Sequence, residues 1–357
     1  MSKKPLVNII IVTYNQFKFI RECISSVINS DYSNIKIYLV DNNSNEKDYK
    51  KLYEDFKKNR KITFFRLSEN RGFGAGCNYV LKLIKNGYIV FLNDDAIVTK
   101  NWLNPIIDYM ENHPDVGAAQ PKIKDMKRKK YFQHAGAAGG FMDVYGYPFC
   151  RGRIFYDVEE DNGQYDNVID VVWCSGNCLV TRLEVLKKVG FFDEIFFMYA
   201  EEADLCWRMN KAGYRLVFIP SSVVYHYGIG GPNRQSYKKI FWHHRNGLIM
   251  LMKNYSITEI IRYLPVRFFL DFVTFWYYLL ANRIMSNALA LAVAYLSFLY
   301  LLPKVTYGRF KKFPQKKINK TLSYPLYNGS IVFDYFLLGK KKFTDLNKIH
   351  MEDKILQ

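Results

Sequence analysis

No two cysteines in this chain stand at the Cys-x-x-Cys spacing of structural zinc sites. The six are Cys23, Cys77, Cys150, Cys174, Cys178 and Cys206, and they read as buried free thiols. A Walker loop is also missing, because Gly72-x-Gly74-x-Gly76 is not followed by Gly-Lys-Ser/Thr. No apolar leader opens the chain: Met-Ser-Lys-Lys-Pro runs straight into a strand pattern. The expectation is no signal peptide and a cytosolic, reducing compartment. Acids are scarce, with 33 Asp and Glu against 51 Lys and Arg and a net charge of +18. Such a charge calls for an anionic partner: nucleic acid, anionic lipid or a phosphorylated substrate. Apolar residues are not scarce. At 357 residues and 49% hydrophobic content, the chain suits one large α/β domain plus an extension, or two domains.

Tyr88-Ile-Val-Phe-Leu92 is an unbroken apolar run that stops at Asn93-Asp94-Asp95. A run of this kind reads as a central strand covered on both faces. Adjacent acids at its carboxyl end are either a surface turn or, where open α/β sheets bind ligands, a seat for a hard cation such as Mg²⁺ or Mn²⁺. Similar strands are predicted over Val7–Thr13, Ile35–Val40 and Ile62–Leu67, with helical patterns between them. This alternation predicts a parallel, doubly wound sheet. Thr13-Tyr14-Asn15, Asp41-Asn42-Asn43 and Asn93-Asp94-Asp95 then share one edge. The glycines of 72–76 read as a tight loop that lets backbone approach a ligand.

Residues 117–170 read as an irregular, mobile connection, with a basic stretch from Lys122 to Lys130. Order resumes over Val171–Val180. Further along come Phe191-Phe-Asp193, the acidic Glu201-Glu-Ala-Asp204 on a helix, and two short strands, Tyr214–Ile219 and Val223–His226.

Taken together, Val-Asn-Ile-Ile-Ile-Val-Thr-Tyr-Asn, Val-Asp-Asn-Asn-Ser, Glu-Asn-Arg-Gly-Phe-Gly-Ala-Gly-Cys-Asn, Phe-Leu-Asn-Asp-Asp, the Gly190–Arg208 block and Val-Tyr-His resemble family 2 glycosyltransferases of the GT-A fold. The nearest branch is the rhamnosyltransferase-like enzymes of bacterial surface polysaccharide assembly. The resemblance spans about residues 5 to 250. It implies that Thr13, Tyr14, Asp41 and Asn70 hold the donor's base and ribose, with Asp94 beside the nucleotide. Asn93-Asp94-Asp95 takes the place of the Asp-x-Asp site, with Asp95 on the metal and His226 as a second metal or diphosphate contact. Glu202 takes the place of the catalytic base, and Trp173, Glu201 and Asp204 that of acceptor or sugar contacts. Two departures matter. Asn93 replaces the first Asp, and Glu202 stands where Asp is common, which leaves the base open between Glu201 and Glu202.

Residues 1–250 are expected to form the catalytic domain, with a nucleotide half to about 116 and an acceptor half from 117. The remainder, 251–357, differs. Phe268–Leu280 is aromatic-rich, and Ile284–Pro303 carries no charge and approaches a bilayer span. Seven basic residues follow between Lys304 and Lys320. That pattern predicts helices lying in or on the cytoplasmic face of the membrane, with Arg267, Asp271 and Arg283 interrupting a true span. The expected activity is inverting, non-processive transfer from dTDP-rhamnose or a UDP-sugar to a lipid-linked glycan, and no Gln-x-x-Arg-Trp of processive synthases is present. A sugar nucleotidyltransferase would carry an N-terminal Gly-rich loop with Arg and Lys, which residues 8–16 lack. A nucleic-acid-binding protein would line a groove with its charge, whereas much of it here follows the apolar helices.

Overall fold

The computed structural model describes residues 4–228, 236–310 and 326–346. The strands are β1 (Val7–Thr13), β2 (Ile35–Asp41), β3 (Ile62–Arg66), β4 (Tyr88–Asn93), β5 (Ala96–Val98), β6 (Val116–Asp125), β7 (Gly140–Met142), β8 (Pro148–Cys150), β9 (Arg153–Ile154), β10 (Asp157–Val158), β11 (Ile169–Asp170), β12 (Cys178–Arg182) and β13 (Arg215–His226). The helices are α1 (Phe17–Ile28), α2 (Glu46–Phe56), α3 (Phe73–Leu81), α4 (Asn104–Asn112), α5 (Leu183–Val189), α6 (Glu201–Lys211), α7 (Tyr237–Asn254), α8 (Ile257–Trp276), α9 (Met285–Phe310) and α10 (Ile331–Phe336).

One mixed sheet runs β11-β13-β6-β12-β4-β1-β2-β3, with β5 also on β13. β1 lies between β2 and β4, parallel to both. Its side chains alternate between two cores. Ile9 and Ile11 join Ile20, Ile24, Ile106 and Ile107 on the α1/α4 face. Ile10 and Val12 join Cys77, Val80, Leu186 and Leu205 on the α3/α5/α6 face. Burial on both faces is why the strand reads as an unbroken apolar run. Each buried Ile or Phe contributes about 1.5–3 kcal/mol by leaving water.

Three expectations are corrected here. Residues 117–170 are not a mobile connection. Their first part is β6, ten residues pairing with both β12 and β13, and β7–β10 form a second, antiparallel sheet. The glycines that suggested looseness make tight geometry: Gly136, Gly139, Gly146 and Gly152 all have positive φ. Lys122, which opens the basic stretch, does not belong to a mobile connection either, since it is buried in β6 and paired with Asp161. Finally, Tyr214–Ile219 and Val223–His226 are parts of a single strand, β13, which is irregular between Ile219 and Val223 around Pro220. The central strand β12 runs antiparallel to β4 and β6, so the sheet is mostly, not wholly, parallel.

Helix α7 continues through residue 250 and packs extensively along α9. Tyr255, Leu264, Phe298, Val305, Tyr327 and Ile331 belong to the same core as the sheet. After α9 the described chain returns at 326 to bridge Asp143 with Tyr327, and the Phe343 ring lies tilted against those of Phe141 and Phe149.

Candidate active site

Register brings the polar strand ends together. Thr13 pairs with Asp41 across β1 and β2, and Val12 pairs with Asn93 across β1 and β4. Asp41 is buried and takes the Ser44 amide at 3.1 Å and Arg66 Nε at 3.1 Å. Asn70 Oδ1 accepts from Asn42 Nδ2 at 2.9 Å and from the Gly72 amide at 3.0 Å. These bonds fix the 41–44 loop against the 70–72 loop. Tyr14 remains open at 46% exposure. The glycines after this loop have a packing role. A Cβ on Gly76 would lie 2.9 Å from Val12 Cγ1, and one on Gly74 3.0 Å from Phe192 Cβ. They let α3 sit close on β1 and on Phe192.

The acidic end of β4 meets the end of β13. Asp95 Oδ1 lies 2.8 Å from His226 Nε2, and both side chains are buried. Asp94 is half-buried beside them. Burial pushes its carboxyl up to about 7; the Thr13 hydroxyl pulls the other way, and the Asp95 charge adds to the rise. A paired acid held this far up is a group that a cation would ionise. Asp95 oxygen and His226 nitrogen in mutual contact, with Asp94 adjoining, are of the ligand types that suit a divalent metal. Among the described residues no group of three or more His, Cys, Asp or Glu is placed to hold a metal ion.

Two further carboxylates open α6. Glu201 and Glu202 follow Ala200, whose φ is +68°. Phe197 and Tyr199 also have positive φ, at +63° and +68°. Three non-glycine residues in this region cost of order 1–3 kcal/mol each unless they are held. The hold comes from α7. Arg245 Nη2 donates to the carbonyls of Ile195 and Phe196, and Asn246 Nδ2 to those of Phe196, Met198 and Tyr199, all at 2.7–3.0 Å. Burial pushes both carboxyls above their ordinary range, Glu201 further because the charge of Glu202 adds. Glu202 faces the Gly176 amide, in the turn that leads into β12. Oε2 of each glutamate is buried without a hydrogen-bond partner.

Sequence reasoning missed Asn177. It is 2% exposed, and neither its amide oxygen nor its amide nitrogen has a partner. Its backbone carbonyl accepts from the Asn93 amide at 3.0 Å, which ties Glu202, Gly176 and Asn177 to the acidic end of β4. The Ser175-Gly176-Asn177 turn, inside the ordered stretch Val171–Val180, is its only sequence signal. Arg245 and Asn246 were also missed, because a helical His-His-Arg-Asn looks like a solvated face.

Two predicted contacts are placed differently. Trp173 is buried, its Nε1 donates to the Phe141 carbonyl at 2.8 Å, and Gly140 packs against its ring. It is a core residue. Asp204 is fully buried, with Arg208 Nε, Lys253 Nζ and Asn254 Nδ2 all at 2.9 Å. With its oxygens taken by three donors, it braces α6 against α7 and offers a sugar nothing.

The sequence matches glycosyl transferase family 2 over residues 8–190, just over half of the chain. It is 24% identical over 263 residues to the N-acetylglucosaminyl-diphospho-decaprenol L-rhamnosyltransferase of Mycobacterium tuberculosis, covering 70% of this chain and 84% of that protein. It is 27% identical over 246 residues to the rhamnosyltransferase WbbL of Escherichia coli K12, covering 67% and 89%. In fold it resembles the mannosyltransferase PcManGT of Pyrobaculum calidifontis solved with GDP-Man and Mn²⁺, with TM-score 0.51, 17% identity, and 87% and 82% of the two chains covered. It also resembles GalNAc-T7 solved with UDP, GalNAc and Mn²⁺, with TM-score 0.53 and 16% identity. Against GalNAc-T7, 74% of this chain aligns with just over half, 55%, of the other. With the motifs, the sheet and these matches in agreement, the chain belongs to glycosyl transferase family 2 and is a glycosyltransferase on a GT-A sheet.

Proposed function

We propose that the protein transfers one sugar, with inversion, from a nucleotide-diphosphate sugar such as dTDP-rhamnose or a UDP-sugar to a lipid-linked glycan at the cytoplasmic face of the membrane. The observation that carries this reading is the meeting of Asp94, Asp95 and His226 with Glu202, whose Oε2 is buried without a partner, through the Gly176–Asn177 turn. Thr13, Tyr14, Asp41 and Asn70 hold the nucleoside at the ends of β1 and β2. Asp95 and His226 would hold Mg²⁺ or Mn²⁺, with Asp94 on the nucleotide side. The ion would supply positive charge against the leaving diphosphate. Glu202 accepts the proton of the acceptor hydroxyl. That oxygen bonds to the anomeric carbon as the bond from carbon to phosphate oxygen breaks, and the nucleoside diphosphate leaves with the electron pair. One displacement inverts the centre, and no enzyme nucleophile is needed.

The acceptor class is supported by the names of the rhamnosyltransferase relatives and by the helices after residue 256. α8, with its continuation to Ala281, and α9 are each long and apolar enough to cross a membrane. Phe269, Phe272, Leu280, Met285, Leu296, Leu299 and Tyr300 stand exposed on them. Arg267 and Asp271, expected to interrupt the apolar run, are turned inward and paired at 2.9 Å. The preference for an in-plane arrangement therefore rests instead on α9 lying along α7. Lys304 and Arg309 belong to the predicted basic stretch, and its remaining lysines fall outside the described residues. In this reading residues 1–250 are the catalytic part and 251–357 the membrane-associated part.

Thermal-shift binding against a panel of nucleotide-sugars with Mg²⁺ and Mn²⁺ tests the donor, and Asp95→Ala tests the metal. We expect Asp95→Ala to remove most turnover and metal-dependent donor binding, with Asp94→Ala milder. Full activity of Asp95→Ala in EDTA contradicts the assignment.

A further inference from the structure

Two cationic side chains and two imidazoles gather beside the site, with no acid to match them among the described residues. Arg153, in β9, is buried; its Nε donates to the His134 carbonyl at 3.0 Å and its Nη2 reaches Cys150 Sγ at 3.7 Å. No carboxylate pairs with it among the described residues. Lys239 stands in the first turn of α7, whose Ser236 cap accepts the Lys239 amide at 3.3 Å, and that turn contains no acid. His243 follows one turn later on the same side of α7 and stacks on Tyr199, with ring centroids 4.4 Å apart. His134 Nδ1 is buried without a partner. Every charged neighbour that acts on His134 and Lys239 is itself basic; after burial, these push both below their ordinary values. The seven residues preceding Ser236 contain no Asp or Glu.

Position narrows the anion. Ile240, next to Lys239, packs with Tyr278, Ala288 and Leu291 of the exposed apolar helices. Tyr199, under His243, lies in the field of Glu201 and Glu202. The basic cluster thus stands between the apolar helices and the carboxylates, whereas the nucleoside edge lies across the sheet at β1 and β2. We infer that Arg153, Lys239, His243 and His134 form a binding site for the diphosphate of a lipid-linked acceptor, holding it while its sugar reaches Glu202. Phosphate oxygens would take the donors that the fold leaves unmatched, at the positive end of α7. This rests on the lipid-acceptor reading above.

The test is equilibrium binding of farnesyl diphosphate and of farnesol to the full chain in non-ionic detergent, with UDP and dTDP plus Mg²⁺ titrated separately. Lys239→Met and His243→Gln alter partly exposed positions, and Arg153→Met is the buried counterpart. Lys239→Met is expected to weaken farnesyl diphosphate by roughly ten- to a hundred-fold, the scale of a lost charged hydrogen bond, while farnesol and both nucleotides bind as to wild type. Unchanged farnesyl diphosphate binding in Lys239→Met and His243→Gln overturns the site. An equal loss of UDP or dTDP overturns it too, because the cluster would then serve the leaving nucleotide. Separately, a wild type that transfers sugar only to uncharged acceptors fails the lipid-acceptor reading, while the farnesyl diphosphate titration still decides the cluster.

Discussion

Glu201 and Glu202 are adjacent in sequence but have different surroundings. Glu201 is buried toward α3, near Cys77, whereas Glu202 faces the Gly176 turn. Glu202→Gln is therefore expected to lower kcat by about 10²–10⁴-fold, the scale of general base catalysis, with donor Kd little changed. If Glu201→Gln is the dead variant instead, the base lies one residue earlier. A pH consequence follows. A base works ionised, and burial raises this one above its ordinary value of 4.5. Activity is thus lost as pH falls through a point above 4.5, and the acid limb of kcat/KM should lie there. An acid limb below it would remove the assignment. The sequence showed these carboxylates by type and order. It could not show that Trp173 and Asp204 are spent on packing, because both residue types serve equally in cores and in sites.

Helix α7 shows what a pattern can and cannot reveal about an element. The boundaries of β1 were legible to the residue and those of β2, β3 and β4 nearly so, because burial on both faces leaves an apolar run with polar ends. The β7–β10 sheet was not, because strands of two or three residues carry no period. Nor was the clamp of Arg245 and Asn246 on residues 195–199, which exists only once α6 and α7 are packed together. Asn246→Ala would leave the carbonyls of Met198 and Tyr199 to find other donors, Phe196 keeping Arg245, at a cost of about 1–3 kcal/mol. It should lower both Tm and kcat while donor Kd stays near wild type; unchanged kcat would mean that the loop does not position the base. Asp204 allows a cleaner measurement. Burial raises its carboxyl, but Lys253 and Arg208 outweigh burial and hold it at about 2. Its contribution is present above the ordinary 3.8 and lost as pH falls through about 2. The stability gap between wild type and Asp204→Asn should therefore shrink between those limits in urea titrations.

At the scale of the molecule, the apolar helices share their core with the sheet, so they are not a removable anchor. Ending the chain near Lys253 would strip Tyr255, Phe298 and Tyr327 from that core, and membrane binding is better tested on the exposed face. Replacing Leu296, Leu299 and Tyr300 together by Glu should abolish flotation with liposomes and leave Tm near wild type. In the wild type, high salt should release only part of the protein, since attraction to anionic lipid is screened over about 8 Å and apolar burial is not. Flotation with neither neutral nor anionic lipid would remove the membrane reading.

Asp271 is where the elements meet. Its carboxylate takes Arg267 of α8, Tyr147 beside β8 and Tyr295 of α9 at 2.8–2.9 Å, and His244 of α7 lies 3.1 Å away. Four segments bolted to one buried carboxylate tie the helix pair to the catalytic body. With those helices in the plane of a membrane, as proposed, the height of Glu202 above it would be a fixed length. An enzyme of fixed height works as a ruler: it reaches a hydroxyl at one distance from the lipid and falls short of the next. A lipid-linked acceptor one sugar too long should be a poor substrate even when its terminal sugar is the right one, and Asp271→Ala should blur that discrimination.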